Sequence, residues 1–361
     1  FFFSFFSFLG AVFCSGAWES NRPLVTLTPP PPAVIDYLLD AVRMWKRELG
    51  VDGLRLDVAY SLDRDFVKRL HQVAGELGAE PRFDGEAGGG FPLIGEVLHG
   101  DYNLIVNDEM LDSCTNYECY KGLYSSFNSM NMFEIAHSLH RQFGGDPWCI
   151  YRGKHLVSFA DNHDVTRLAS ILTCKEHLRG AYGVLFGMPG IPCLYYGSEW
   201  GQLGQKGTGY LADVELRPQL DVPAADTLEH LAAGWEGGGA PNQLTRYISE
   251  LNHVRRASRA LCHGSYRNVV ITNKHLLFER AAAAESEQTP ERVLVAVNAE
   301  DCPFTLNDGT LNGRFEVLLA SAPCADDPNA APDYPQTGDL LELEGSLTLL
   351  PYGVLYLRRT M

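Results

Sequence analysis

Positive charge is what this chain has least of. Against 45 Asp and Glu residues stand 29 Lys and Arg in a length of 361, which leaves a net charge of −16. That balance repels a polyanion and argues against nucleic acid as a ligand; a neutral or small polar substrate suits it better. Basic residues are missing altogether before Arg22, so the apolar opening FFFSFFSFLGAVFCSG lacks the charged head of a secretion signal. Val12-Phe13 before Cys14 is also a poor small-residue cleavage site. The stretch is too short for a membrane span of about 20 apolar residues, and no membrane partner is expected. There is no initiating Met, and residues 1–22 read as an atypical apolar N-terminal remnant, a truncated start. A disulfide framework is absent as well. The nine cysteines (14, 114, 119, 149, 174, 193, 262, 302 and 324) are odd in number and scattered through apolar or helical segments. That pattern fits a reducing cytoplasm better than secretion.

What is present is enough apolar surface for a large core: 45% of the chain is hydrophobic and 11% aromatic. The length suggests one large domain with a smaller one. Val34, Leu38, Ala41, Val42, Trp45 and Leu49 recur at helical spacing, with Pro32 suited to the first turn and Gly50 to the stop. A short apolar run, GVDGLRLDVAY, follows from Gly50 to Tyr60. Phe66, Val67, Leu70, Ala74 and Leu77 form a second amphipathic helix ended by Gly78, and Phe91 to Val97 reads as the next buried strand. The alternation goes on through Ser113 to Tyr117, a helix near Met132 to Phe143, the strand His155 to Ala160, a helix near Lys175 to Gly187, the run Ile191 to Tyr196, and a helix from Leu244 to Ser258. Strands alternating with helices imply a parallel sheet with helical crossovers, here about five units. From about Ala260 the pattern becomes short alternating runs, Asn268 to Thr272, Leu276 to Glu279, Arg292 to Asn298, Phe315 to Leu319 and Val354 to Arg358, the mark of an all-β domain.

Acids fall at equivalent places along this pattern. Arg55 and Asp57, two apart at the end of a strand, point the same way. Glu96 ends the next strand, and His163 with Asp164 follows the strand inside LVSFADNHD. In a parallel α/β barrel the C-terminal strand ends share one face, so these three acids can converge into a glycosidase-like constellation. Each piece also has a plainer reading. An Arg and an Asp two apart are commonly a surface ion pair, Glu96 suits a solvated strand end, and Asn162-His163-Asp164 suits a turn. Glu86 in FDGEAGGG is a rival acid, read as loop because no strand precedes it.

Taken together, GVDGLRLDVAY, LIGEVLHGDYN and LVSFADNHDVTR resemble, in order and spacing, the second, third and fourth conserved regions of the alpha-amylase family of retaining glycoside hydrolases. GMPGIPCLYYGSEWG, from Gly187 to Gly201, is similar to the last barrel strand of that family and the loop behind it. The resemblance runs from Trp18 to about Val297 and is greatest to bacterial members acting on maltodextrins, cyclodextrins or pullulan. It implies a (β/α)8 TIM barrel over residues 23–259, incomplete here with about the last five βα units, followed by a small all-β domain over 260–361.

By this resemblance Asp57 is the nucleophile, Arg55 keeps it ionised and oriented, and Glu96 is the acid and then the base. Asp164 would grip sugar hydroxyls and favour the distorted ring, with His163 bonded to the same sugar. Tyr60, Tyr196 and Trp200 are candidates to stack on sugar faces, and His99 to border the cleft. No cofactor is expected and no metal. His137 and His140, three apart on a helix, read as a solvated face, and Val58-Ala59-Tyr60 stands where typical endo-acting members have a Lys-His pair. Two departures qualify the expectation. The first conserved region, ending in Asn-His on the third barrel strand, has no counterpart, and LVTLT from Leu24 to Thr28 replaces Leu-Val-Lys-Leu-Asn. The expected partner is an alpha-glucan oligosaccharide, with a homo-oligomer left open. Two alternatives to a hydrolase are a catalytically inactive carbohydrate-binding remnant and a transglycosylase of the same family.

Overall fold

A computed structural model describes residues 3–4, 31–80, 88–219, 242–284, 289–322 and 334–360. Thr26, Thr28 and the rival acid Glu86 lie outside the described residues. The chain divides into two compact units, one formed by residues 1–117 with 154–157, the other by residues 118–153 with 158–361.

The first unit is a four-stranded parallel sheet in the order β1 (Phe3–Ser4), β2 (Leu54–Leu56), β3 (Leu93–Gly95) and β4 (Ser113–Cys114). Among the described residues two helices serve it, α1 (Pro32–Leu49) and α2 (Arg64–Ala79). Helix α1 starts with Pro at its first turn and stops at Gly50, whose φ of 65° is the left-handed conformation that glycine adopts without strain. Its buried stripe is Ile35, Leu39, Val42 and Lys46, one residue round from the stripe the sequence suggests, and Leu49 is exposed. The rotation is possible because Lys46 buries its stem and carries its ammonium to Asp52 at 3.2 Å. Helix α2 is capped by Asp63, whose Oδ1 accepts from the Phe66 N–H at 2.9 Å. It buries Phe66, Val67, Leu70, Val73, Ala74 and Leu77.

Among the described residues the second unit contains the two-stranded pairing of β5 (Val157–Phe159, whose first residue belongs to the first unit) with β6 (Ile191–Cys193), and six helices. These are α3 (Tyr117–Asn128), α4 (Phe133–Phe143), α5 (Leu168–Ile171), α6 (His177–Gly187), α7 (Gln243–Ala257) and α8 (Arg259–His263). Helix α3 was missed in the sequence, although Tyr120, Leu123 and Phe127 recur at helical spacing on the face it buries beside Cys119, Gly122 and Ser126. The C-terminal residues form a six-stranded antiparallel sheet in the order β11-β10-β12-β9-β8-β7. Its strands are β7 (Ser265–Ile271), β8 (His275–Ala282), β9 (Glu291–Asn298), β10 (Phe304–Ser321), β11 (Leu340–Leu349) and β12 (Val354–Arg359). Strand β11 was also missed, although Leu341, Leu343, Leu347 and Leu349 alternate with exposed residues as a half-buried strand requires.

Helix α6 packs on this sheet through glycine. A Cβ at Gly180 would lie 3.4 Å from Val297 and 2.7 Å from Phe127 of α3, at Gly183 2.8 Å from Val354, and at Gly187 2.9 Å from Phe278. Two buried arginines finish the helix. Arg255 Nη1 donates to the carbonyls of Phe186 and Met188 at 2.6 and 3.0 Å, and Arg280 Nη1 donates to that of Gly187 at 2.8 Å. Cations at a helix C-terminus satisfy carbonyls that have no intrahelical partner and oppose the negative end of its dipole.

Candidate active site

In β2, Leu54 and Leu56 are buried and Arg55 faces the other side, so the pleat directs Arg55 and Asp57 to one face. The parallel register pairs Leu56 with Gly95. The next residue on each strand is therefore an acid, and Asp57 and Glu96 stand side by side. Gly95 is required for this approach, because a Cβ there would lie 2.5 Å from Leu111 and 2.8 Å from the Ala59 methyl. Arg55 joins both acids. Its Nη1 donates to Asp57 Oδ1, and its Nη2 stands 3.0 Å from Glu96 Oε1. The second oxygen of Glu96 accepts the Val58 N–H at 3.1 Å.

These partners act on Glu96 in opposite directions. Burial raises its carboxyl above the ordinary 4.5, the Arg55 charge and the Val58 N–H pull it down, and the Asp57 carboxylate pushes it up again, with a net rise. Glu96 is 6% exposed, and the Asp57 side chain 31%. Thus the pair contains one acid that favours the protonated form and one more open carboxylate. Tyr60, in the turn after Asp57, sets its ring 5.7 Å from that of His99, which follows Glu96, and both are exposed.

In the second unit the DNHDVTR segment splits into support and display. Asp161 is buried and accepts from the Leu168 N–H and from Ser198 Oγ, each at 2.7 Å. Arg167, fully buried, donates to the carbonyls of Tyr196 and Leu216 and lies 4.0 Å over the Tyr195 ring. Between them, Asn162 Oδ1 accepts the Asp164 N–H at 2.8 Å, the turn that Asn and Asp commonly make. His163 Nε2 stands 3.0 Å from Asp164 Oδ2, and Arg217 Nη2 stands 2.6 Å from Asp164 Oδ1. Burial works to raise the Asp164 carboxyl, but His163 and Arg217 outweigh it and hold the group below its usual 3.8.

The structure thus groups Arg55, Asp57 and Glu96, sets Tyr60 beside His99, and joins His163 to Asp164. Tyr196 is exposed and donates from its hydroxyl to the Pro218 carbonyl at 2.8 Å. Trp200 instead lines a cavity of about 660 Å³ with Arg179, Leu203 and Asn242, where its carbonyl accepts from Asn242 Nδ2 at 3.0 Å. Sequence reading missed Val58, Asp161, Arg167 and Arg217. Asp161 and Arg167 lay inside a recognised segment, whereas Arg217 stands far along the chain from Asp164 with no local signal. Among the described residues, His140, Asp146 and Cys149 bring metal-ligand atoms within 4.8 Å, as do Glu300, Asp301 and Cys302. In the first group His140 Nε2 already meets Asp146 Oδ2 at 2.8 Å, and Cys149 Sγ donates to the His140 carbonyl. His137 is in neither group.

Residues 22–260 match the alpha-amylase catalytic domain. The chain belongs to the alpha-amylase family. Its family fold is the TIM barrel, and the antiparallel sheet follows it along the chain. The cyclomaltodextrinase of a Bacillus species is 24% identical over 293 residues, which are 80% of this chain and 46% of that protein. The intracellular maltogenic amylase of Bacillus subtilis strain 168 is 27% identical over 194 residues, 52% of this chain and 30% of that one. The crystal structure of an Anoxybacillus alpha-amylase superposes with a TM-score of 0.68 at 20% identity, covering 94% of this chain and 65% of that one. The Geobacillus thermoleovorans alpha-amylase, complexed with acarbose, gives 0.68 at 18% identity, with 95% and 67% covered. These two share the fold. The chain spans less than half the length of the curated alpha-amylase relatives named here.

Proposed function

We propose that this chain carries the chemistry of a retaining alpha-glucan hydrolase, acting on maltodextrins and cyclic dextrins by double displacement. The observation that supports this most is one guanidinium, Arg55, shared by two acids of unequal character. Asp57, the more open acid, attacks the anomeric carbon to form a glycosyl-enzyme. Glu96, kept toward its protonated form by burial, gives its proton to the leaving oxygen and then takes one from water. Asp164 and His163 hydrogen-bond sugar hydroxyls, and Tyr60 with His99 offers an exposed aromatic edge to a sugar ring. The named relatives, a cyclomaltodextrinase and a maltogenic amylase, support the choice of short and cyclic glucans. A cytoplasmic setting belongs to the same proposal, and all seven described cysteines are free. Among the described residues no helix is long and apolar enough to cross a membrane.

The test is release of reducing sugar from maltodextrin and from a cyclodextrin by the purified chain, with Asp57→Asn beside it. Product of retained anomeric configuration, lost in Asp57→Asn, is expected. A folded chain that releases none is the carbohydrate-binding remnant, and products longer than the substrate identify a transglycosylase.

A further inference from the structure

The residue between the nucleophile position and the turn has an uncommon backbone. Val58 adopts φ 45° and ψ 42°, and among the described residues only Met130 and Tyr352 share a positive φ without being glycine. Of the three, Val58 alone is β-branched. In this region Cβ crowds the following carbonyl, and a second branch adds to the crowding, so glycine or asparagine is the usual occupant. Strain of this kind persists only where the surroundings impose it, and it gathers at working sites.

Here the surroundings are explicit. The Val58 N–H points to Glu96 Oε2 at 3.1 Å, the Ala59 N–H to the Glu96 carbonyl at 2.9 Å, and the Val58 carbonyl accepts from the Ser61 N–H at 2.9 Å. Ala59 is fully buried against Gly95. The start of the turn is therefore tied twice to Glu96, and its other end is closed back on Val58.

We propose that Val58 is a positioning residue, whose left-handed backbone aims its own N–H at Oε2 of Glu96 while Arg55 holds Oε1. The inference rests on the reading of Glu96 as acid and base. With one fixed donor on each oxygen, the carboxyl plane cannot rotate. The N–H also favours the ionised form, which offsets burial and Asp57 and lets Glu96 act as a base once its proton has gone. Arg55 and Asp57 are the charged groups acting on Glu96 besides this amide.

The experiment reads Glu96 directly by carbon NMR of carboxyl-labelled glutamate, with Glu96→Gln to assign the resonance, so it needs no turnover. Replacing the Val58 peptide nitrogen by oxygen, with the hydroxy-acid analogue of valine, removes the donor and keeps the side chain, weakening only the Asp57 carbonyl besides. The Glu96 midpoint is expected to rise by about one pH unit, tenfold in proton affinity. Val58→Asn keeps the donor and suits the left-handed turn, so it should show the unsubstituted midpoint and a Tm no lower. An ester chain with an unmoved midpoint, or an asparagine variant displaced as far as the ester, overturns the proposal. In the unsubstituted protein the Val58 amide proton must titrate with Glu96, and a flat response overturns it even if the ester chain does not fold. A chain that shows this titration yet hydrolyses no glucan would leave the inference standing and remove the proposed function.

Discussion

Arg55 Nη2 stands 3.0 Å from Glu96 Oε1, across two adjacent parallel strands, while the other arm of the same guanidinium holds Asp57. Lysine has three donors on one nitrogen but no planar fork, so it cannot hold the two acids in the spacing that the guanidinium sets. Arg55→Lys should therefore lower kcat on maltodextrin by about 100-fold, the scale of a misplaced reacting group. Initial rates with a melting curve check it. A folded variant within a few fold of the unsubstituted rate would deny Arg55 this part.

Burial first, then the Asp57 charge, holds Glu96 above 4.5. The limb of the kcat/KM profile on which the general acid loses its proton should thus lie above the ordinary glutamate range, and Glu96→Gln should erase it. Asp57→Asn removes the repelling charge, so the Glu96 midpoint must fall, read by carbon NMR. Because the folded-state value is raised, the contribution of Glu96 to stability is complete below 4.5 and is lost as the pH climbs through the folded value.

Asp164 behaves in the opposite sense. His163 and Arg217 hold it below 3.8, so its contribution is present above 3.8 and lost as the pH falls through the folded value. Arg217→Gln should raise the Asp164 midpoint and flatten the acid side of the stability curve below pH 3.8, measured by urea unfolding at several pH values. An acid limb identical to that of the unsubstituted protein would show that the pair is without thermodynamic weight.

Two glycines separate packing from propensity. At Gly183 a methyl would press on Val354 at 2.8 Å and on the Tyr247 hydroxyl at 3.0 Å, so Gly183→Ala should cost about 1–3 kcal/mol. Gly75, within α2, has nothing within 4 Å of its added methyl, and Gly75→Ala should stabilise by about 0.5–1 kcal/mol. Denaturant midpoints decide both.

Much of this was legible along the chain, because period and capping are local. The helices over residues 32–49, 64–79, 133–143 and 243–257 carry their caps or apolar stripes in contiguous sequence. Arg55 and Asp57 share a face by the pleat alone. One departure is physical: the α1 stripe turns because a lysine stem counts as apolar surface. The other two were legible and missed, since α3 has Tyr120, Leu123 and Phe127 at helical spacing and β11 alternates leucine with polar residues.

The sequence by itself singled out Arg55, Asp57, Glu96, His163 and Asp164 as the candidates for chemistry, since residue type, strand-end position and family resemblance are one-dimensional properties. Only the tertiary structure decided how they are governed. The register of β2 with β3 put two acids on one arginine, Val58 was forced into a left-handed turn by hydrogen bonds from a strand 38 residues away, and Arg217 arrived at Asp164 from 53 residues downstream. Those effects depend on distance and solvent exclusion, which exist only once separate segments of chain have been packed together.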